Sequence, residues 1–306
     1  MRDAFTSYIY KRKEMGDNVF LIVADLGYSV IEKFAKRFPE SFLNVGVAEQ
    51  NMAGIAAGIA SEGFQVFTYS IANFNTFRCA EQIRNDIDYH NFPVCTVTVG
   101  GGVAYGNMGY SHQAIQDYAL MRSMPNTLIC APSDKIEVTL CLDQIFKLRR
   151  PSYLRLHRAG EAVLNSSTEP INPGDLRFIA GDRNSPYIII TTGYAAHIAL
   201  KAANLSTNRL CIYSLPVWGA KVSNQKAILK IAEQAYRLYI YEDHLTAGGF
   251  GSYILELLVA TNHISKVRLK GLNSNVLDIM GSEDYILRSQ GLFEYPIDDS
   301  IDKQLT

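Results

Sequence analysis

The feature that most restricts the fold is a regular alternation of short apolar runs with segments of helical spacing. Residues 18–24, Asn-Val-Phe-Leu-Ile-Val-Ala, form the clearest run, and such a run is typical of a strand buried on both faces of a parallel sheet. Strands are predicted in this way at 18–24, 42–45, 65–69, 93–99, 127–130 and 152–156. Helices are predicted between them at 3–14, 30–38, 49–62, 74–90, 114–122 and 134–147. Strands separated by helices predict an α/β fold with a mostly parallel, doubly wound sheet.

A change in composition divides the chain. Residues 160–184 contain a polar Asn-Ser-Ser-Thr run, two prolines and a second polar cluster at 181–184, and this composition is typical of a connecting segment. A second α/β unit is predicted after it, with strands at 186–193, 209–213, 237–241 and 266–270 and a helix after the Gly-Gly-Phe-Gly-Ser segment at 248–252. We therefore expect two doubly wound domains, residues 1–160 and 185–306, joined by a linker at 161–184.

Composition narrows the class of protein. The 29 basic and 30 acidic residues form no block of either sign, which argues against a nucleic-acid or membrane-surface protein. The chain contains no stretch near the ~20 apolar residues that span a bilayer, and its first residues lack the apolar core of a signal peptide. The five cysteines have no metal or redox spacing and lie mostly in apolar runs, which predicts buried thiols. We expect a cytoplasmic protein that acts on a small polar metabolite.

Glu49 lies at the predicted junction between the strand at 42–45 and the helix at 49–62. Open α/β folds keep their ligands at this edge of the sheet. A glutamate at a helix start also has a structural explanation, because its carboxylate complements the helix dipole and accepts hydrogen bonds from free backbone N–H groups. Considered alone, the segment favours this capping role, and capping is compatible with a role at a ligand.

Three segments in a fixed order change that interpretation. They are Ala-Glu-Gln at 48–50, the aromatic segment Asn-Phe-Asn-Thr-Phe-Arg at 73–78, and Gly-Tyr-Ser-His-Gln at 109–113. With the small-residue helix after the first, this order resembles the pyrimidine-binding half of thiamine-diphosphate enzymes of the transketolase and deoxyxylulose-phosphate synthase group. The resemblance covers nearly the whole chain. It implies a thiamine-diphosphate-dependent enzyme that transfers a two-carbon ketol unit between sugar or sugar-phosphate substrates.

The resemblance implies a catalytic role for Glu49. In enzymes of this group a glutamate hydrogen-bonds a ring nitrogen of the cofactor's aminopyrimidine and stabilises the imino tautomer, whose nitrogen removes the C2 proton of the cofactor. A carboxyl group enclosed by apolar surroundings has a raised pKa and can share such a proton near neutral pH. Glu49 matches the family glutamate by its motif, so we predict that it is both catalytic and cofactor-binding.

Three more residues are expected at the cofactor. The aminopyrimidine needs a flat apolar wall, and an aromatic side chain supplies one by stacking. Phe74 and Phe77 are both candidates, with a slight preference for Phe77, and the one that does not stack is expected in the core of an amphipathic helix. Asp25, which follows the first strand, resembles an aspartate near the cofactor pocket of transketolases.

Two residues are expected at the substrate. His112 lies in a polar, Gly-rich loop and matches the family histidine beside the reactive carbon, which can move protons or bind substrate oxygens. His112 is therefore predicted to be catalytic as well. Arg158 aligns with an arginine that binds the phosphate end of sugar substrates, a task that suits a planar, bidentate guanidinium. An arginine at a strand end is also commonly only solvated.

The Gly-rich loop at 100–109 departs from the family pattern. It lacks the spacing of a dinucleotide-binding loop and of a P-loop, and we expect a flexible active-site loop. Met108 stands where transketolases have an aspartate that contacts a sugar hydroxyl, and Gly100 stands where they have another histidine. The substrate contacts are therefore expected to differ from those of housekeeping transketolase.

The Gly-Asp-Gly motif that marks the diphosphate-binding domain of these enzymes is absent from the sequence. Oxygen-rich coordination of Mg²⁺ or Ca²⁺ therefore has no evident place in this chain. The resemblance implies a split enzyme whose metal and diphosphate are held by a separate subunit. We expect an α2β2 heterotetramer, which is the simplest two-fold arrangement that completes both sites, and self-association of this chain to a homodimer in the absence of the partner.

Three alternatives remain open at this stage. A deoxyxylulose-phosphate synthase-like carboligase and the β subunit of a 2-oxoacid dehydrogenase have the same two domains. The Gly-Tyr-Ser-His-Gln loop is more similar to transketolase and deoxyxylulose-phosphate synthase than to the dehydrogenase. The third alternative is a non-catalytic assembly subunit, against which the presence of both Glu49 and His112 argues. The substrates are expected to be sugar phosphates or small molecules of the nucleotide-sugar type.

Overall fold

A computed structural model describes residues 1–203 and 209–297. Residues 204–208 and the end of the expected second domain, 298–306, lie outside the described residues. The strands are β1 (Val19–Val23), β2 (Phe42–Asn44), β3 (Gln65–Ile71), β4 (Val94–Val99), β5 (Leu128–Cys130), β6 (Ser152–Leu156), β7 (Arg177–Gly181), β8 (Tyr187–Thr191), β9 (Cys211–Ser214), β10 (Val217–Trp218), β11 (Arg237–Leu245) and β12 (Val267–Leu272).

The helices confirm most of the predicted ones. They are α1 (Arg2–Glu14), α2 (Glu32–Arg37), α3 (Glu49–Ser61), α4 (Ala80–Gln82), α5 (Asp117–Arg122), α6 (Lys135–Leu148), α7 (Ala195–Ala203), α8 (Lys226–Gln234), α9 (Phe250–Leu258) and α10 (Glu283–Ser289). Two begin at side-chain caps. At α6 the Asp134 carboxylate accepts hydrogen bonds from the backbone N–H groups of Ile136 and Glu137 at 2.9 Å, and at α10 the Ser282 hydroxyl accepts from that of Tyr285 at 3.2 Å. No helix in the described part of the chain is long and apolar enough to cross a membrane.

The strands form two sheets, as the α/β prediction requires. The first has the order β10-β5-β6-β4-β3-β1-β2, and the second has the order β12-β11-β8-β9-β7. Among the described strands every pairing is parallel except two at the edges, β10 with β5 and β7 with β9. The two mostly parallel sheets confirm the predicted fold class.

The boundary between the two units differs from the predicted linker. Strand β7 lies within the segment 161–184 and closes the edge of the second sheet against β9. Strand β10 lies beyond that segment, yet it pairs with β5 at the edge of the first sheet. In both places the added strand pairs with backbone groups of its neighbour that would otherwise be exposed at a sheet edge. Because β7 lies within it, the segment 161–184 is part of the fold rather than a free connection.

Alternation along the strands divides the core into layers. Ile22 of β1 faces a cluster that also contains α3 residues and reaches Ile190 of β8, whereas Leu21 and Val23 face a second cluster beneath α1, α2 and α6. A third cluster covers the far face of the second sheet. Because the first cluster contains residues of both sheets, the two units share a continuous core. All five cysteines lie in the described part of the chain, where they are buried and free.

The predicted helix at 74–90 is not regular. The chain forms a 3-10 turn at Phe77–Cys79, the short α4 and then a π-helical stretch at Ile83–Asp88. Buried Asn75 donates hydrogen bonds to the carbonyl of Val97 at 2.9 Å and to the hydroxyl of Thr68 at 3.2 Å, which holds this segment against the strands. The backbone is not α-helical at Thr76 or Cys79, so α4 begins only at Ala80. π-helical turns of this kind are frequent at functional sites.

Candidate active site

The predicted site residues lie near the carboxyl edge of the first sheet. Asp25 follows β1, Glu49 follows β2, Phe74 follows β3 and His112 follows β4. These strands are neighbours in the order β4-β3-β1-β2 and all run parallel. Their carboxyl ends therefore meet at one edge, which is the location where open α/β sheets bind ligands.

Glu49 is the first residue of α3 and is only 1% exposed. Its Oε2 accepts a hydrogen bond from Nη1 of Arg78 at 2.7 Å. Its Oε1 is buried and has no hydrogen-bond partner among the residues that the structure describes. Neither oxygen accepts a bond from a backbone N–H in that part of the chain, so the geometry does not support the capping interpretation.

Arg78 connects Glu49 to the aromatic side chains. Its guanidinium lies over the ring of Phe74, 4.5 Å from the ring centroid, in the geometry of a cation–π contact. The Phe74 ring in turn meets the His112 ring edge-on, with centroids 5.1 Å apart. The Nδ1 of His112 lies 2.9 Å from the hydroxyl of Ser111. The structure thus brings Glu49, Phe74 and His112 together through an arginine that sequence analysis did not single out.

The signal for Arg78 is present in the sequence but is local and weak. Arg78 stands four residues after Phe74, a spacing that in the predicted helix would place the two side chains on one side. A basic residue at the surface of an amphipathic segment is usually solvated, so spacing alone does not identify it as a partner of Glu49. The contact depends on the approach of α3 to this segment, which is a tertiary feature.

The two phenylalanines occupy different surroundings. Phe74 is partly buried between Arg78 and His112. Phe77 is 45% exposed and makes no ring contact within residues 1–203 and 209–297. Phe77 is therefore neither a residue of the helix core nor part of this cluster in the chain by itself.

Asp25 is exposed and adopts a positive φ of 52°. Its Oδ1 accepts hydrogen bonds from Asn44 and from the hydroxyl of Tyr28, both at 3.3 Å. The Oδ1 of Asn44 accepts from the backbone N–H groups of Asp25 and Gly46 at 3.0 Å. Asn44 thereby ties the end of β1 to the turn before α3, and Asp25 lies on the same edge as Glu49.

Arg158 follows β6 at this edge but contacts the second unit. Its Nη2 lies 3.7 Å from Oε2 of Glu283, and its side chain is 48% exposed. The other oxygen of Glu283 is 2.8 Å from Nε2 of His157. Burial lowers the pKa of His157, but the neighbouring carboxylates of Glu161 and Glu283 outweigh this effect, so the pKa is raised overall. Arg158 therefore belongs to an ion-pair group between the two units and is separate from the Glu49 cluster.

The Gly-rich loop is not flexible along its whole length. Residues 100–104 are almost entirely buried, and Gly102 exchanges backbone hydrogen bonds with Ala114 at 2.9 and 2.8 Å. A Cβ atom at Gly101 would lie 2.6 Å from Arg155, which is itself buried between Asp117 and Asp243 at 2.6 Å. This part of the loop is anchored because it packs on a buried ion-pair network.

The remainder of the loop presents apolar side chains to solvent. Met108 is 60% exposed and Tyr110 is 50% exposed. Met280, from the second unit, is 67% exposed, and its sulfur would lie 3.5 Å from a Cβ atom at Gly109. The position of the family aspartate is thus part of an apolar rim beside His112, which is consistent with substrate contacts that differ from the family pattern.

The residues present fit the aminopyrimidine end of thiamine diphosphate. That ring offers nitrogen atoms for hydrogen bonding and two flat apolar faces. The Oε1 of Glu49 is a buried oxygen that lacks a partner in the described structure, and Phe74 is an aromatic ring within the same cluster. An oxygen buried without a partner costs about 1–3 kcal/mol, a cost that a bound hydrogen-bonding ligand would remove.

Comparisons with known proteins agree with this geometry. The family model described as "Transketolase, pyrimidine binding domain" matches residues 1–160. A transketolase C-terminal section from Methanocaldococcus jannaschii is 32% identical over 95% of this chain and 92% of its own length. One of the subunits of an apulose-4-phosphate transketolase from Phocaeicola vulgatus is 29% identical over 95% of this chain and 93% of its own length.

A solved structure extends the likeness to the fold. A chain of a split-gene transketolase, described as an inactive β4 tetramer, superimposes with a TM-score of 0.80 at 28% identity. The match covers 95% of this chain and 93% of that one. The similarity therefore includes both units and not only the pyrimidine-binding domain.

Proposed function

This chain belongs to the transketolase family, and from that premise we propose that it is the C-terminal subunit of a split, thiamine-diphosphate-dependent transketolase. It is a transferase subunit, and its reaction moves a two-carbon ketol unit between sugar or sugar-phosphate molecules. The observation that carries the proposal is the buried Glu49 carboxyl group, whose Oε1 lacks a partner in the described chain and lies in one cluster with Phe74 and His112.

Each side chain of the cluster has a separate task in this proposal. Thiamine diphosphate, when bound, supplies the carbanion chemistry. Glu49 presents Oε1 to the aminopyrimidine ring nitrogen, and the ring of Phe74 is the apolar wall for the pyrimidine. The hydroxyl of Ser111 is hydrogen-bonded to Nδ1 of His112. The other ring nitrogen, Nε2, is therefore available to bind or protonate a substrate oxygen. Phe77 is exposed and is available to a partner subunit.

The proposal includes a second subunit that holds the diphosphate and Mg²⁺. Large exposed side chains with apolar surface lie on the segments that carry the site residues and on the second unit, namely Tyr28, Val47, Phe77, Met108, Tyr110 and Met280. Apolar surface of this kind is typical of a permanent interface. Two copies of each chain would close both sites by two-fold symmetry, and we place this assembly in the cytoplasm.

Two observations favour ketol transfer over the alternatives. The two relatives described above match this chain over more than nine tenths of both lengths, and both are transketolase chains by name. This match favours a transketolase over a 2-oxoacid dehydrogenase subunit or a single-chain carboligase. The intact cluster around Glu49 argues against a non-catalytic assembly subunit.

Reconstitution tests the proposal. We expect the purified chain alone to bind thiamine diphosphate weakly and to transfer no ketol unit, because the metal and diphosphate ligands are on the other chain. Addition of a partner chain that carries Gly-Asp-Gly, together with Mg²⁺, should restore both properties, as measured by calorimetry and by a coupled ketol-transfer assay. The control is the same mixture with the metal chelated.

Two results would contradict the proposal. One is tight, metal-dependent binding of thiamine diphosphate by this chain alone. The other is a fully active one-to-one heterodimer in light scattering, since a single pair would then complete a site that we assign to a two-fold assembly. The inactive β4 form of the related split-gene chain supports the expectation that this chain alone is inactive.

A further inference from the structure

Arg78 is a charged residue of the cluster that the proposed function leaves without a task. Its Nη1 donates to Oε2 of Glu49 at 2.7 Å, and its guanidinium lies 4.5 Å from the centroid of the Phe74 ring. Glu49 is 1% exposed as a side chain, whereas the side chain of Arg78 is 43% exposed. One arginine therefore contacts both the buried carboxyl group and the aromatic ring.

The physical chemistry of the pair explains how a buried carboxylate is tolerated here. A buried charge without a partner is costly, and a hydrogen-bonded partner of opposite charge offsets that cost. Because Arg78 keeps part of its hydration, its own desolvation is small while its hydrogen bond to the carboxylate is charge-assisted. The face of Phe74 holds the planar guanidinium in place, a contact that the ammonium of lysine reproduces less well.

The pairing is also asymmetric. Arg78 occupies Oε2 and leaves Oε1 as the oxygen without a partner in the described chain. An arginine paired with a carboxylate is frequently bidentate and then occupies both oxygens. Only one contact forms here, so one oxygen of Glu49 is held and the other is available.

We propose that Arg78 is a positioning residue for Glu49, which holds Oε2 so that Oε1 is presented to the aminopyrimidine ring nitrogen beside Phe74. This inference rests on the proposed function. It assigns no contact between Arg78 and the substrate. Its consequence is that loss of Arg78 should slow cofactor activation while the fold and most of the cofactor affinity remain.

The test uses the assembled enzyme and three variants, Arg78→Gln, Arg78→Lys and Arg84→Gln. Arg84 is the matched control because it is exposed in the same segment and donates to Asn85 at 2.7 Å. Two quantities are measured, the affinity for thiamine diphosphate with Mg²⁺ and the rate of C2 proton exchange by NMR. We expect Arg78→Gln to slow exchange about 10- to 100-fold, the effect of a small misplacement of a catalytic group. Arg78→Lys should recover part of the rate, and Arg84→Gln should match the wild type.

A second readout needs no cofactor. In the isolated chain labelled with ¹³C-glutamate, the carboxyl signal of Glu49 is assigned by its loss in Glu49→Gln. Arg78→Gln should move this signal, and Arg84→Gln should leave it in place. An unmoved signal in Arg78→Gln would show that the pair does not form and would overturn the inference.

The remaining outcomes separate this inference from the proposed function. If the wild-type assembly fails to bind thiamine diphosphate, the proposed function is wrong and the inference is wrong with it. If the wild type binds and Glu49→Gln slows exchange while Arg78→Gln does not, the positioning role alone is wrong. Tighter cofactor binding and faster exchange in Arg78→Gln would also overturn it, because Arg78 would then compete with the cofactor for Glu49.

Discussion

Two buried glutamates lie beside the first turns of two helices, and their surroundings differ. Glu242 in β11 accepts hydrogen bonds from the backbone N–H groups of Phe250 at 2.7 Å and of Gly251 at 3.1 Å, so each carboxyl oxygen has a donor from the start of α9. Glu49 begins α3, but Arg78 is its hydrogen-bond donor, and Oε1 has no partner in the described chain. Both residues are 1% exposed.

The difference separates a carboxyl group with a structural role from one that we propose to be functional. Glu242 satisfies the free N–H groups of a helix, which is the usual reason for an acidic group at that place. Glu49 also lies at the start of a helix, but its carboxyl group accepts a hydrogen bond from Arg78 instead of from backbone N–H groups. An oxygen without a partner is not diagnostic alone, since Oδ2 of buried Asp243 also has none among the described residues. The cluster with Phe74 and His112 is what distinguishes Glu49.

Substitution of each glutamate by glutamine should give the largest difference between the two sites. In Glu49→Gln we expect C2 proton exchange in the assembled enzyme to slow about 10²- to 10⁴-fold, the usual contribution of a proton-transferring group, because an amide cannot share the acidic proton. In Glu242→Gln exchange should be unchanged, and the free energy of unfolding should fall by about 1–3 kcal/mol, because the amide NH₂ cannot accept the second backbone N–H.

The two readouts are NMR exchange and urea unfolding, applied to both variants. An unchanged exchange rate in Glu49→Gln would mean that Glu49 has no role in cofactor activation and is only a residue at the start of a helix. A large loss of exchange in Glu242→Gln would mean that the second unit participates in cofactor activation.

One glycine in each of the two helices offers a smaller test. A Cβ atom at Gly251 would lie 2.8 Å from Oε1 of Glu242 and 2.8 Å from Leu269, whereas one at Gly58 in α3 would meet no described atom within 4 Å. We expect Gly251→Ala to lower the free energy of unfolding by about 1–3 kcal/mol through overpacking. Gly58→Ala should raise it by up to about 1 kcal/mol through helix propensity.

Urea unfolding of the isolated chain measures both changes. Equal effects of the two alanines would show that α9 is not closely packed on Glu242. The result would also decide whether the Gly-rich segment at 248–252 has the packing role that its glycines suggest.

Titration of Glu242 should give a gradual effect, which is spread over several pH units. Burial raises its pKa from 4.5 to about 8, against the opposing effect of the two N–H donors. Between these values the unfolded chain is ionised and the folded chain keeps the proton, so the unfolded state binds fewer protons. The Glu242 contribution to stability is therefore greatest below pH 4.5, falls as pH rises towards 8 and is level above it. The slope is at most about 1.4 kcal/mol per pH unit.

The measurement is the difference in unfolding free energy between the wild type and Glu242→Gln at pH 5, 6, 7 and 8. The variant lacks this titration, while Asp243, Arg155 and His244 near the carboxyl group are common to both proteins. A difference that stays constant over this range would show that Glu242 is ionised in the folded chain.

Much of the fold follows from local sequence patterns. Continuous apolar runs located the parallel strands of both sheets, because a strand buried on both faces leaves that pattern in consecutive residues. The patterns did not reveal that β7 and β10 complete sheet edges, since each pairing joins residues that are distant along the chain. They also predicted a regular helix at 74–90, which is not observed. The contacts that hold the start of this segment against the strands, such as the hydrogen bonds of Asn75 to Thr68 and Val97, are not local in the sequence.

The site divides in the same way. The sequence by itself determined that Glu49, Phe74 and His112 follow parallel strands, and parallel strands bring their carboxyl ends to one edge. Only the tertiary structure decided which phenylalanine joins the cluster, which oxygen of Glu49 is left without a partner in the described chain, and that Arg158 pairs with Glu283 of the second unit. These choices depend on side-chain distances of a few ångströms between separate elements, and hydrophobic periodicity specifies the face of an element but not its neighbour.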